Sequence, residues 1–209
     1  MDERGEVVVV GIGNILWADE GFGVRAVEAL HAAFEFPRAV ALQDGGTLGL
    51  NLYDAVASAR RVLVLDAIDF GLAPGTLRVL RDEAVPAWGR TRLSPHQVGF
   101  NDVLGLAQLN GRMPESVTAI GVQPLRLDDF GGSLTEAVRE RIAEAVALAA
   151  RELGRWGFPG TPRAPGARYE PLNATPLAMA DYENGRPSDA DALRSGDPRV
   201  LALTPMAER

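Results

Sequence analysis

Apolar residues along this chain fall into two arrangements, short unbroken runs and stripes at helical spacing. Val7-Val8-Val9-Val10 is the first run. Four consecutive β-branched residues read as a strand buried on both faces, and Gly11-Ile12-Gly13-Asn14 ends it. Behind Asp19-Glu20, the residues Val24, Val27, Leu30 and Phe34 predict an amphipathic helix. A short second strand is expected over Ala39–Leu42, stopped by Asp44-Gly45-Gly46-Thr47, and then a helix over Leu48–Ala57. Val62-Leu63-Val64-Leu65 is a third buried strand, ending at Asp66. After the turn at Pro74-Gly75, Thr76–Leu80 alternates as a half-exposed edge strand does. Ser94-Pro95-His96-Gln97 has the order of a helix start, with Ser at the cap, Pro in the first turn and Gln at the capping-box position. Phe100, Val103, Leu104 and Ala107 are the stripe of that helix. Val117–Val122 is a further strand. The longest helix is expected over Leu134–Leu153, with Val138, Ile142, Val146 and Leu153 facing inward.

Strands that alternate with helices, and central strands that are apolar throughout, predict an α/β fold: three αβα layers around a mostly parallel sheet. That pattern covers residues 1–156. Near Gly157 it stops, and eight of the 14 prolines lie beyond that point. Residues 157–209 are therefore expected to be a Pro-rich extended or disordered tail, with ordered wrapping over the domain as the alternative.

Charge and composition narrow the partners. The net charge is −7 with no basic run, which argues against nucleic acid and anionic membrane surfaces. No apolar stretch approaches the ~20 residues of a membrane helix, and Met1-Asp2-Glu3-Arg4 followed by four valines is too acidic and short for a signal peptide. The expectation is a cytoplasmic monomer without a stable cofactor. There is no cysteine and there are only two histidines. That removes Cys nucleophiles, thiolate zinc sites and HExxH helices, so carboxylates must carry most of any polar chemistry.

Ligands of open parallel sheets bind at the carboxyl ends of the strands. Four polar residues converge on that edge: Glu20 after the first strand, Asp44 after the second, Asp66 at the end of the third, and His96 at a helix start. A helix first turn favours a carboxylate and keeps an imidazole neutral, with a lone pair to offer. Glu20, Asp66 and His96 together match a site for Zn, Ni, Mn or Fe, and three protein ligands leave a position open for water or substrate. Taken singly, each has a plainer reading: a cap for Asp19 or Glu20, a turn residue for Asp44, a turn cap for Asp66, a surface residue for His96. Their shared sheet edge is what the plainer readings do not predict. His31, mid-helix, reads as structural or surface. Gly11-x-Gly13 lacks the third glycine of a dinucleotide fingerprint, since Leu16 stands there. A Ser94, His96, Asp66 triad is disfavoured, because Ser94 is committed to the cap and no Gly-x-Ser-x-Gly elbow exists.

Gly11-Ile12-Gly13-Asn14-Ile15-Leu16-Trp17-Ala18-Asp19-Glu20-Gly21-Phe22-Gly23 resembles the N-terminal signature of hydrogenase maturation proteases. Asp44-Gly45-Gly46-Thr47, Asp66-Ala67 and Ser94-Pro95-His96-Gln97 match further family segments, in the family's order and at similar spacing. The resemblance runs from residue 7 to about 153, and Trp17 is a bulkier choice than its place in the signature leads one to expect. It implies a twisted five-stranded sheet with one antiparallel strand, flanked by helices. It also implies a metal-dependent, aspartyl-protease-like hydrolase that trims a C-terminal peptide from the nickel-loaded precursor of the nickel-iron hydrogenase large subunit. By the same resemblance Glu20, Asp66 and His96 contact metal, and Asp44 belongs to substrate recognition. The nickel would arrive with the substrate; in isolation another divalent ion could take its place. Either the nickel activates water or polarises the carbonyl, or a carboxylate such as Asp44 or Glu20 acts as general base. Two rival readings use the same edge: a nickel-site chaperone or docking factor without proteolysis, and a small-molecule hydrolase.

Overall fold

A computed structural model describes residues 5–85, 95–174 and 177–186, with the backbone alone over 95–99. Strand β1 (Gly5–Ile12) leads through a 3₁₀ turn, Ala18–Gly21, into helix α1 (Phe22–Ala33). A two-residue strand β2 (Phe34–Glu35) and strand β3 (Val40–Gly46) follow. A second 3₁₀ turn, Gly49–Leu52, runs into helix α2 (Tyr53–Ala57). Then come β4 (Ala59–Ala67), β5 (Leu77–Arg81), α3 (Pro95–Leu109) and β6 (Ser116–Val122). The chain continues through α4 (Glu136–Arg139), α5 (Ile142–Arg155), β7 (Thr161–Pro162) and α6 (Met179–Gly185).

The main sheet has five strands in the order β3-β1-β4-β6-β5. All neighbours are parallel except β5, which runs antiparallel on the edge beside β6. Both faces are covered, and the strand residues divide between them by alternation. Val7, Val9, Leu63 and Leu65 pack with Phe22, Val27 and Leu30 of α1 and Ala149 and Leu153 of α5. Val8, Val10, Val62 and Val64 pack with Val56 of α2 and Phe100, Val103 and Leu104 of α3. This is the expected αβα sandwich with its mostly parallel five-stranded sheet. Among the described residues, no helix is long and apolar enough to cross a membrane.

The boundaries differ from expectation at informative places. The second strand does not stop at Leu42 but continues through Asp44-Gly45-Gly46, because Gly11 pairs with Asp44 and Ile12 with Gly46. The pairing needs backbone groups, not apolar side chains, and Gly45 lies so close to β1 that an added Cβ would stand 2.4 Å from Val10 Cγ1. The long helix is two pieces, α4 and α5, although Val138, Val146 and Leu153 keep one buried stripe across the break. The helix over Leu48–Ala57 begins as a 3₁₀ turn. Pro95 does start a helix; its Ser94 cap lies outside the described residues.

One buried charge ties the sheet edge to a helix. Glu152 of α5 is almost fully buried and takes a two-pronged contact from Arg81, with Nε to Oε2 at 3.1 Å and Nη2 to Oε1 at 2.6 Å. The Arg81 hydrogen bond holds the Glu152 carboxyl below the usual carboxylate range, against the opposing effect of its burial.

Beyond Gly157 the described chain is extended for most of its length and lies on the domain. β7 pairs antiparallel with β2, and Arg163 donates to the carbonyl oxygens of Ala33 and His31 at the end of α1. His31, expected to be structural or surface, hydrogen-bonds through Nε2 to the Glu170 carbonyl oxygen at 2.8 Å and meets the Tyr169 ring edge-on. Phe158, Leu172 and Met179 pack against the α1–α5 side of the core. Residues 187–209 lie outside the described residues.

Candidate functional site

The edge singled out by the sequence is the carboxyl edge of β3, β1 and β4. Two glycines build it. Gly13 has φ 138°, and a Cβ there would stand 1.8 Å from the Glu20 carbonyl oxygen. Only glycine lets the chain fold back so that residues 14–21 return over the end of β1. Gly23, in the first turn of α1, is pressed onto the strand ends, where an added Cβ would stand 2.1 Å from Leu65 O and 2.2 Å from Ile12 O. The turn that carries Glu20 is thereby pinned beside the end of β4, one residue before Asp66.

Asp66 is 1% exposed and pairs in register with Gly121 of β6. Glu20, partly exposed, sits in the 3₁₀ turn between β1 and α1. Asp44 is half-buried at the end of β3, directly across from Gly11. Its Oδ1 accepts from Gly46 N at 2.8 Å and its Oδ2 from Asn173 Nδ2 at 2.7 Å. His96 is the second residue of α3. That helix feeds β6 through the short connection 110–115, so it runs antiparallel to the parallel strands. Its 15 residues span ~22 Å at ~1.5 Å per residue, which carries its first turn back to the carboxyl edge. The fold thus brings Glu20, Asp44 and Asp66 to one sheet edge from three separate elements, and the direction of α3 turns its first turn toward the same edge. The His96 side chain lies outside the described residues, and among the described residues no three His, Asp or Glu side chains form a group that could hold a metal ion.

The neighbouring Asp19 does something different. It is fully buried and acts as a hub rather than a cap. Its Oδ2 accepts from Leu125 N and Arg126 N, each at 2.9 Å, and from Thr135 Oγ1 at 3.0 Å, while Oδ1 accepts from Thr135 N at 2.7 Å. These four bonds tie the turn beside Glu20 to the loop between β6 and α4, and they hold Ala18 at a φ of 46° that alanine avoids. Removing the carboxylate strands several buried donors. Asp19→Ala is expected to lower unfolding free energy by about 4 kcal/mol, read from the urea midpoint; a change below about 1 kcal/mol would remove the hub assignment.

Sequence reasoning did not find the other groups that shape this edge. Gln123, buried just after β6, accepts from Phe70 N and Leu72 N and donates to Asp69 Oδ1, fixing the segment after Asp66. Trp17 packs edge-on against Phe130 with ring centroids 5.3 Å apart, and this contact accounts for its bulk. Beside it lies an open depression of about 440 Å³ lined by Trp17, Arg126, Asp128, Asp129 and Phe130. The only sequence signal for Trp17 was its size.

The chain as a whole is similar to known proteins. Residues 24–152 match the family model described as hydrogenase maturation protease. The chain is 49% identical to the hydrogenase expression/formation protein HupM of Azotobacter chroococcum mcd 1, over 94% of this chain and 93% of that protein. It is 41% identical to the hydrogenase 2 maturation protease of Escherichia coli K12, over 73% of this chain and 95% of that protein. The fold superposes on the hydrogenase maturating endopeptidase HybD from E. coli with a TM-score of 0.72 and 39% identity, covering 76% of this chain and 98% of that structure.

Proposed function

Since the chain belongs to the hydrogenase maturation protease family, we propose that it is the peptidase that removes the C-terminal peptide from the nickel-loaded large-subunit precursor of a nickel-iron hydrogenase, acting as a cytoplasmic monomer. The observation that carries the reading is the convergence of Glu20, Asp44, Asp66 and the first turn of α3 on one sheet edge.

In this reading the metal is part of the substrate. Glu20, Asp66 and His96 contact the substrate's nickel at its open positions, two hard carboxylates and one imidazole being donors that bind such an ion without holding it permanently. That contact docks the scissile bond at the edge and restricts cleavage to precursors that already carry nickel. Asp44, one strand away, contacts the substrate peptide. Water adds to the scissile carbonyl, its proton passes to a carboxylate of the same edge, and the amine leaves with a proton. The nickel contributes by polarising the carbonyl or activating that water.

The test incubates the purified protein with nickel-loaded and with nickel-free precursor and reads intact masses. Loss of a C-terminal peptide from the nickel-loaded form alone is the expected result. A stable complex with no mass change would replace the peptidase with a chaperone, and cleavage of both forms would remove the nickel gate.

A further inference from the structure

We propose that Asn173, in the segment that wraps the domain after Gly157, is a positioning residue for Asp44. The proposal rests on the reading of Asp44 as a substrate contact. Asn173 is 129 residues from Asp44 in the chain, yet its Nδ2 donates to Asp44 Oδ2 at 2.7 Å. The same nitrogen donates to Glu28 Oε1 of α1, also at 2.7 Å. An amide nitrogen carries two hydrogens, and here each is committed to one carboxylate. Bonds from a neutral donor to a carboxylate are among the stronger ones a surface can make.

Asn173 is held on both sides by contacts that do not involve Asp44. Three residues before it, the Glu170 carbonyl is fixed by His31. Four residues after it, the Leu177 carbonyl accepts from Arg25 Nη1 at 2.5 Å, and Arg25 itself is buried and paired with Glu28 at 2.9 Å. Leu172 is partly buried and packs against the core. The amide is therefore presented by an anchored backbone, and it reaches the one Asp44 oxygen that Gly46 does not take. Without Asn173, the carboxylates of Glu28 and Asp44 face each other across the place of a lost donor, and Asp44 keeps only its bond from Gly46 N.

The experiment uses the full chain and nickel-loaded precursor, with steady-state processing measured for Asn173→Ala, Asp44→Ala and the double variant. Asn173→Ala is expected to raise KM about tenfold with kcat nearly kept and the melting temperature nearly unchanged. The double variant is expected to be no worse than Asp44→Ala, since Asn173 acts through Asp44. Asn173→Asp preserves the shape but replaces both donors with a third carboxylate, and its KM is expected to rise further; it decides the matter should the alanine variant fold poorly. Normal KM in both Asn173 variants while Asp44→Ala is impaired would overturn the proposal alone. Effects of Asn173→Ala and Asp44→Ala that multiply would also overturn it, because Asn173 would then act independently. Normal processing by Asp44→Ala would overturn the reading of Asp44 and the proposal with it.

Discussion

Replacing His96 with Ala is expected to slow processing of the nickel-loaded precursor by at least about 100-fold, while the melting temperature stays within a few degrees. The magnitude follows from the number of contacts. Three side chains are proposed to meet the nickel, and loss of even an indirect partner of a metal ligand costs about 10–100-fold. Loss of a direct contact belongs at or beyond the upper end. The fold is expected to survive because α3 is anchored further along, by Phe100, Val103 and Leu104 in the core between α2, α3 and the sheet. Asp66→Asn makes the complementary test. It keeps the size of a side chain that is 1% exposed but withdraws the negative charge that a metal contact requires. Both variants should bind precursor poorly and cleave it slowly, with intact mass and thermal melting measured on the same preparations. Processing by His96→Ala at the unmodified rate would end the metal-contact reading of that residue, whatever the activity of the parent protein.

How much of this was legible beforehand depends on the kind of interaction. β1, β4 and β6 are buried on both faces, so their apolar runs are visible without any partner. The helix stripes are visible for the same reason, since burial imposes the period. The end of β3 was not visible, because Asp44-Gly45-Gly46 pairs through its backbone and carries the composition of a turn. Asp19 shows a related failure: a carboxylate before a helix suggests a cap, and only the fold brings Leu125, Arg126 and Thr135 to it. Asn173 and Asp44 meet across 129 residues through a single pair of polar atoms, and no periodicity records such a contact. The placement of Asp44 and Asp66 at the carboxyl edge was legible because it follows from parallel strands, which the alternation of elements implied. The roles assigned to the four residues came from the resemblance and not from the pattern.

Truncation after Gly157 is expected to leave an α/β domain that still folds but melts about 10–15 °C lower. Composition alone would predict little change, since a Pro-rich segment without periodicity has few means of contributing. The contacts argue otherwise. Phe158, Leu172 and Met179 cover apolar surface on the α1–α5 side. Arg25, 5% exposed, would lose the Leu177 carbonyl and the Tyr182 ring that lies 5.5 Å from its guanidinium. Arg139 would lose Glu183, which it meets at 2.7 Å through Nη1 and which Ser133 also holds. Partial burial of three large side chains plus these polar contacts amounts to about 4–5 kcal/mol, and for a domain of this size each kcal/mol moves the melting point by about 2–4 °C. The pH dependence gives a second readout. Burial alone would raise the Glu183 carboxyl, but the hydrogen bonds from Arg139 and Ser133 outweigh it and hold it below its ordinary value of 4.5. A carboxyl depressed in the folded state stabilises fully above the unfolded value and loses that contribution as pH falls through the folded one. The gap in melting temperature between full-length and truncated protein should therefore be constant near neutrality and narrow below pH 4.5. Equal melting temperatures at neutral pH would show that the segment contributes nothing to the domain, and a gap that widens in acid would assign its stability to groups other than Glu183.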